Sequence, residues 1–447
     1  MFQKVLVANR AAIAARVLRA LRAMGIRSVA VYSEADANLP YLAQADESYC
    51  IGAAEPVHSY LNQDAILRVL RDTGADAVHP GYGFLSENAE FARRVQAAGA
   101  VFIGPSPEWI DAMGHKTRAR ALMQQYGLAM APSSELLTGD PAQAQAMARQ
   151  IGYPVMVKPA SGGGGIGMMA ARDDAQLLKA VEQAASLARR SFGNAELYLE
   201  RLLEQPRHIE FQMLADRAGN VCHLFERDCS VQRRHQKVIE ESPAPLLPRA
   251  IVDAAGDEIA GALRKMGYDV IGTVETLHAQ GRDFQFLETN TRLQVEHAVT
   301  EAITGVDLVV AQIRLAAGEP LGAVVRQPVS IRGHAIEARI YAEDPVRFFP
   351  SPGTLKVLEF PSGDGIRVET GFAQGCTVTP YYDPMIAKLI VHAPGREQAI
   401  ALLRQALDAT QIVGVKHNIP FIQRVLASEA FQSGNVHTGL AAQVLAA

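Results

Sequence analysis

Along the first hundred residues, short apolar runs alternate with stretches whose apolar positions recur every three or four residues. Val5-Leu6-Val7-Ala8 has the pattern of a buried strand, and Ala12 to Met24 then carries Ile13, Val17, Leu18 and Leu21 at helical spacing. Ser28 to Tyr32 predicts a strand, Ala65 to Arg71 a helix, Ala77 to His79 a strand end, Ala89 to Ala98 a helix and Val101 to Ile103 a strand. Short strands separated by amphipathic helices predict a parallel sheet with right-handed crossovers. The first strand-to-helix turn, Ala-Asn-Arg-Ala-Ala-Ile, holds no glycine, so it is not a dinucleotide-binding loop.

The pattern then changes. Thr117 to Tyr126 and Ala142 to Ile151 read as helices, Pro154 to Lys158 as a strand, and Ser161 to Gly167 as a glycine-rich loop. Beyond about residue 200, strands dominate: His208 to Leu214, Val221 to Phe225, Thr273 to Leu277 and Phe284 to Glu288. A last α/β portion runs from about His334 to the end, with a helix at Arg396 to Thr410. The 447 residues call for roughly two to four domains.

Composition narrows the function classes. An apolar fraction of 49% and a charged fraction of 20% are those of an ordinary globular protein. A net charge of -4 provides no field to steer a polyanion, so nucleic acid is not an expected partner. The four cysteines form no Cys-x-x-Cys pair and are too scattered for a disulfide framework, which fits a reducing, cytoplasmic setting. No signal-peptide core and no apolar run of about 18 residues is present, so no membrane association is expected.

Three constellations could carry chemistry. Lys158 ends a strand and is followed by Gly162, Gly163, Gly164, Gly165 and Gly167; such a loop can turn backbone N–H groups toward an anion. An isolated glycine run is usually a linker, but the adjacent lysine favours a phosphate-covering loop. The second is Arg227-Asp-Cys-Ser-Val-Gln232-Arg233-Arg234-His235-Gln236-Lys237, a run of oxyanion donors beside strands rather than an ordinary solvated face. The third is Glu288-Thr-Asn290-Thr-Arg292-Leu-Gln294-Val-Glu296. If extended, its period of two places all five polar residues on one face, with neighbours roughly 6–7 Å apart. With Glu275 on a partner-like strand, two carboxylates and an amide oxygen form a hard donor set suited to magnesium. A straight strand would spread this set over roughly 26 Å, which calls for a bend after Asn290. Glu337-Ala-Arg339 alone reads as an ion pair.

Together with His79-Pro-Gly-Tyr-Gly-Phe-Leu-Ser-Glu-Asn88 and Pro380-Tyr-Tyr-Asp-Pro-Met-Ile-Ala-Lys388, these motifs resemble biotin carboxylase of the ATP-grasp superfamily over essentially the whole chain. The resemblance implies an α/β and α+β multidomain fold. Its parts would be a Rossmann-like N-terminal domain (1–114), an ATP-grasp domain (115–330) with a mobile lid at about 131–203, and a C-terminal biotin carboxylase domain (331–447). It implies a free-standing subunit that carboxylates biotin on a biotin carboxyl carrier protein from ATP and bicarbonate, through carboxyphosphate. Carboxyltransferase subunits of an acetyl-CoA or other acyl-CoA carboxylase, and a second copy in a homodimer, are the implied partners.

By the same resemblance Lys116, Lys158, Gly162, Gly163, Gly164, Gly165 and His208 contact ATP phosphates, and Glu200, Leu203 and Gln232 surround adenine and ribose. Glu275, Glu288 and Asn290 hold magnesium or manganese, and His235 sits near the transferred phosphate. Lys237, Arg292, Gln294 and the Val295 N–H bind bicarbonate. Glu296 is the base, Arg339 the cation that stabilises enolate biotin, and Tyr82 and Gly83 line the biotin end. The chain departs from the family pattern at Ala11 and Ala12 (usually Gly-Glu), His115 (Asp), Ile166 (a basic residue), Arg201 (Lys), Ala298 (Pro) and Ala23 (acidic). Two alternatives remain, a superfamily ligase with another acceptor and a nucleotide-binding regulatory subunit of low turnover.

Overall fold

The computed structural model of the chain describes residues 1–161, 165–279 and 283–446. Gly162, Gly163 and Gly164 therefore lie outside the described residues. Five strands, β1 (Lys4–Val7), β2 (Arg27–Tyr32), β3 (Glu47–Cys50), β4 (Ala77–His79) and β5 (Val101–Phe102), form a parallel sheet in the order β3-β2-β1-β4-β5. Alternation along β1 explains its burial on both faces. Val5 and Val7 pack with Val17 and Leu18 of the helix Ala11–Ala23, while Leu6 packs with Val78, Phe91 and Phe102. Two helices on the other face, Gln63–Thr73 and Ala89–Ala97, begin where Asn62 and Asn88 accept a hydrogen bond from a first-turn N–H.

A second sheet, β6 (Ser133–Leu136), β7 (Val155–Pro159), β8 (Met169–Ala171) and β9 (Leu197–Arg201), is antiparallel in the order β6-β9-β7-β8. It packs on the helices Pro141–Ile151 and Asp174–Phe192 through small residues such as Ala144, Ala148, Ala180 and Ala184.

The largest sheet has eight antiparallel strands. Its first six are β10 (Arg207–Ala215), β11 (Val221–Arg233), β12 (Gln236–Ser242), β13 (Val270–His278), β14 (Gln285–Asn290) and β15 (His334–Tyr341). The order is β14-β13-β10-β11-β12-β15, followed by the strands Met385–Ala393 and Ile366–Thr370. The sheet thus continues from β12 into β15 across residue 330 without a break in pairing. On β10 the odd positions Ile209, Phe211 and Met213 bury against Val252, Ile259 and Leu263 of the helix Arg249–Met266. The even positions His208, Glu210 and Gln212 take the opposite face and are buried too. A polar face at the middle of a sheet survives only if its groups are paired, and the candidate site supplies those partners.

Candidate active site

A cleft of about 1100 Å³ opens between the four-stranded sheet and the polar face of the eight-stranded one. Three carboxylates stand side by side on that face, Glu275 and Glu288 lining the cleft and Glu210 buried behind it, because register places Glu210 opposite Glu275 and Glu275 opposite Glu288. Such a row repels itself unless cations intervene. Lys237 Nζ lies 2.5 Å from Glu210, 2.9 Å from Glu275 and 2.7 Å from Glu296. The fully buried Arg227 pairs with Glu210 at 2.6 Å, and Lys116 pairs with Glu288. Arg339 binds Glu296 through Nη2 at 2.9 Å and Glu240 through Nε at 2.6 Å.

The electrostatic consequence is clear. Burial favours a neutral Glu296, but Lys237, Arg339 and Arg227 outweigh it and hold the carboxyl well below its ordinary range. Burial likewise opposes charge on Glu275, and Lys237 and His208 hold it low. The Lys237 ammonium, disfavoured by burial, is raised well above its usual value by Glu210, Glu275 and Glu296. Glu296 has no solvent exposure and lies behind Lys237 and Arg339 rather than on the cleft wall.

β14 ends at Asn290, where the chain turns before the helix His297–Thr304, so the extended reading of 288–296 holds only for its first half. The turn still keeps the polar set together. Arg292 donates to Asn290 Oδ1 at 2.8 Å and to Gln294 Oε1 at 2.7 Å, and Gln294 and Asn290 both donate to Glu275 Oε1, at 2.8 and 2.9 Å. Val295 lines the same wall.

The opposite wall belongs to the four-stranded sheet and its neighbours. Lys158 pairs with Glu200, which Arg120 also engages at 2.7 Å. Leu203 lines the same end. His208 Nε2 lies 2.9 Å from Glu275 Oε2, and its Nδ1 accepts from Gln232 Nε2 at 2.7 Å. Gln232 to Lys237 forms a tight hairpin in which Gln232 pairs with Lys237 and Arg233 with Gln236. Its two tip residues, Arg234 at φ 49° and His235 at φ 67°, occupy the left-handed region usually reserved for Asn-Gly turns. That strain costs on the order of 1 kcal/mol per residue, and it aims His235 into the cleft.

Sixteen predicted residues thus line one cleft: Lys116, Lys158, Gly165, Glu200, Leu203, His208, Gln232, His235, Lys237, Glu275, Glu288, Asn290, Arg292, Gln294, Val295 and Arg339. Tyr82 and Gly83 do not; they lie on the loop after β4, where the Tyr82 carbonyl accepts from Asn9 at 2.8 Å. Sequence reading gave no role to Glu210, Glu240, Glu87 or Arg120. The alternation His208-Ile-Glu210-Phe-Gln212 would have exposed Glu210. Glu87 lay inside the motif His79–Asn88, but nothing local pointed to Arg292, whose Nε it accepts from at 2.7 Å.

The oxygens of Glu275, Glu288 and Asn290 fit a hard divalent cation. Glu275 and Glu288 stand opposite each other on adjacent strands, Asn290 follows two residues later with its Oδ1 held by Arg292, and Glu275 is held ionised, a hard donor set of the kind a divalent cation takes.

Known proteins share this sequence and fold. Family models match along the chain: "Biotin carboxylase, N-terminal domain" at 1–110, "Carbamoyl-phosphate synthase L chain, ATP binding domain" at 115–324, and "Biotin carboxylase C-terminal domain" at 337–443. A biotin carboxylase of Halalkalibacterium halodurans is 49% identical over 98% of this chain and 97% of its own. The chain belongs to the biotin carboxylase family. Family membership makes it an ATP-dependent carboxylating ligase with the ATP-grasp fold. A pyruvate carboxylase subunit of Methanothermobacter thermautotrophicus is 48% identical over 98% of this chain and 89% of its own. The biotin carboxylase domain dimer of Hydrogenobacter thermophilus 2-oxoglutarate carboxylase, solved with MgADP, ADP and bicarbonate, superposes with a TM-score of 0.96 at 43% identity, covering 100% of this chain and 99% of that one. Among the described residues, no helix is long and apolar enough to cross a membrane.

Proposed function

We propose that this chain carboxylates biotin on a biotin carboxyl carrier protein, using ATP and bicarbonate and passing through carboxyphosphate. The observation that carries this reading is the Lys237–Glu296–Arg339 constellation set against the turn Arg292–Glu296. A protein that only binds nucleotide has no use for a buried carboxylate between two cations at the end of an ATP cleft. The solved relative that holds MgADP and bicarbonate supports the same ligands here.

In this reading Lys116, Lys158, His208 and the glycine loop 162–165 hold phosphates, with Glu200, Leu203 and Gln232 around the nucleoside. Glu275, Glu288 and Asn290 would hold magnesium or manganese, which supplies charge neutralisation on the phosphates when bound. Lys237, Arg292, Gln294 and the Val295 N–H hold bicarbonate. Glu296 takes the bicarbonate proton, and a bicarbonate oxygen forms a bond to the γ-phosphorus as the bond to the ADP oxygen breaks. The carboxyl carbon of carboxyphosphate then bonds to the ureido nitrogen as its bond to the phosphate oxygen breaks, and the departing phosphate takes the ureido proton. Arg339 stabilises the enolate oxygen of biotin, with Tyr82 and Gly83 nearby.

A carboxylate held so far down is a weak base. Bicarbonate entering beside Lys237 draws the ammonium toward itself, and Glu296 regains basicity at the moment it is needed. His235 approaches the transferred phosphate. We assign the domains to 1–114, 115–330 with a lid at about 131–203, and 331–447, and the assembly to a homodimer working with carrier and carboxyltransferase subunits in the cytoplasm. The carboxyltransferase sets the final acceptor, which is acetyl-CoA, another acyl-CoA or a 2-oxo acid.

ADP release measured with and without bicarbonate, then with free biotin, tests the assignment. Release that needs bicarbonate and rises with biotin is expected. Release that needs bicarbonate but ignores biotin points to another acceptor, and absence of turnover points to a regulatory role.

A further inference from the structure

The turn that follows Asn290 is fastened from below by two buried side chains that lie outside the cleft lining. His297 Nδ1 lies 2.8 Å from the Gln294 carbonyl, and Lys388 Nζ lies 2.6 Å from the Val295 carbonyl. Since both partners are carbonyl oxygens, the imidazole donates through Nδ1. Burial, reinforced by Lys388, holds that ring well below its ordinary value and so keeps it neutral. We propose that Lys388 and His297 are positioning residues that orient the bicarbonate-binding backbone at Val295 and Glu296.

Peptide geometry links these contacts to the site. A trans peptide carries its C=O and its N–H on opposite sides of one plane. Fixing the Gln294 carbonyl against His297 turns the Val295 N–H the other way, and fixing the Val295 carbonyl against Lys388 does the same for the Glu296 N–H. Two successive planes are set before any ligand arrives, which is the preorganisation an oxyanion site needs.

The cost of burying Lys388 shows that its place is specific. It has no solvent exposure and sits on the strand Met385–Ala393, directly across from Glu369 on the neighbouring strand. Glu369 Oε2 lies 2.8 Å from Nζ, and Glu337 Oε2 lies 3.7 Å away on the other side. Burial opposes charge on Glu369, but Lys388, Arg367, His297 and Arg16 hold it well below the carboxylate range. Lys388 thus shares Glu369 with Arg367 and Arg16, and it donates a further N–H to the Val295 carbonyl of the turn. Both the strand Met385–Ala393 and its neighbour β15 pack against the helix His297–Thr304, which brings Lys388 under the turn.

This inference rests on the reading that the turn binds bicarbonate, and the wild-type dependence of ADP release on bicarbonate checks that reading separately. The test of the inference compares Lys388→Met with Lys388→Met/Glu369→Gln in steady-state ADP release. The double variant removes the Lys388–Glu369 pair as a whole, leaving Glu301 to Arg367 and Arg16, and carries the test if the single variant does not fold. Loss of a charge-assisted hydrogen bond to the turn is expected to raise the bicarbonate KM about tenfold or more, with the ATP KM changed less than about twofold. A folded double variant with the wild-type bicarbonate KM would overturn the proposal. So would equal changes in both KM values, and insolubility of both variants would overturn it in favour of a purely structural ion pair.

Discussion

Gly165, the first described residue after the glycine run, lies directly against His235: a Cβ placed on it would fall 2.5 Å from the His235 Cβ. Its φ of +71° is also one that side chains rarely adopt. The glycine loop and the strained hairpin tip therefore meet only because residue 165 has no side chain. Gly165→Ala is expected to raise the ATP KM by about tenfold or more, from backbone strain and displacement of the histidine together. Initial-rate measurements at saturating bicarbonate check this; an unchanged ATP KM would show that the contact is dispensable.

Lys237 offsets three carboxylates at once. Lys237→Met leaves Glu210, Glu275 and Glu296 facing one another and is expected to destabilise the fold by about 3 kcal/mol. Turnover should fall by at least about 100-fold. Adding Glu210→Gln should restore part of the stability, read from urea unfolding, without restoring turnover.

Glu87 holds Arg292 at 2.7 Å and also accepts from the Thr291 N–H at 3.2 Å. Glu87→Gln weakens a charge-assisted contact that ties the first sheet's loop to the turn. The bicarbonate KM should rise about threefold to tenfold, with the ATP KM nearly constant.

Glu240 and Glu337 stand opposite each other across β12 and β15, and burial pushes their carboxyls up to about 7 and about 8. The folded chain therefore retains protons that an unfolded glutamate releases near pH 4.5. More protons bound in the native state means that stability declines as pH rises from about 5 to about 8. Glu275, Glu296 and Glu369, all held low, contribute with the opposite sign and lose their contribution only in acid. Glu337→Gln is expected to flatten the pH 5–8 decline by about 1–3 kcal/mol, read from urea unfolding at several pH values. An unaltered slope would place the titration elsewhere.

Much of this was legible in the sequence because period and chemistry coincide there. The alternation of Val5, Leu6 and Val7 with the Ile13–Leu21 helix pointed to the parallel sheet, and the polar positions 288 and 290 to one wall of the cleft. Beyond Asn290 the alternation no longer applies, as the reach of a straight strand had implied: the chain turns, Arg292 and Gln294 meet by a hydrogen bond, and Lys237 and Arg339 hold Glu296. Arg234 and His235 showed none of the Asn-Gly chemistry that marks a tight hairpin, so the tip was invisible. Ala11 was seen as a departure from the family's glycine, but its φ of 50° and its close approach to Gly371 appear only in three dimensions. Glu87, Lys388 and Arg120 reach the site from distant segments, and long-range pairing leaves no trace in local periodicity.

If Glu296 is the base, the carboxyl group of bicarbonate ends on biotin only while that carboxylate is present. The most direct measurement is transfer of isotopic label from bicarbonate to free biotin in the presence of ATP and magnesium, for the wild-type chain and for Glu296→Gln. Labelled biotin formed together with ADP by the wild type, and lost in the variant while ATP still binds, is the expected result. ADP release without label on biotin, or equal labelling by the variant, would contradict this mechanism.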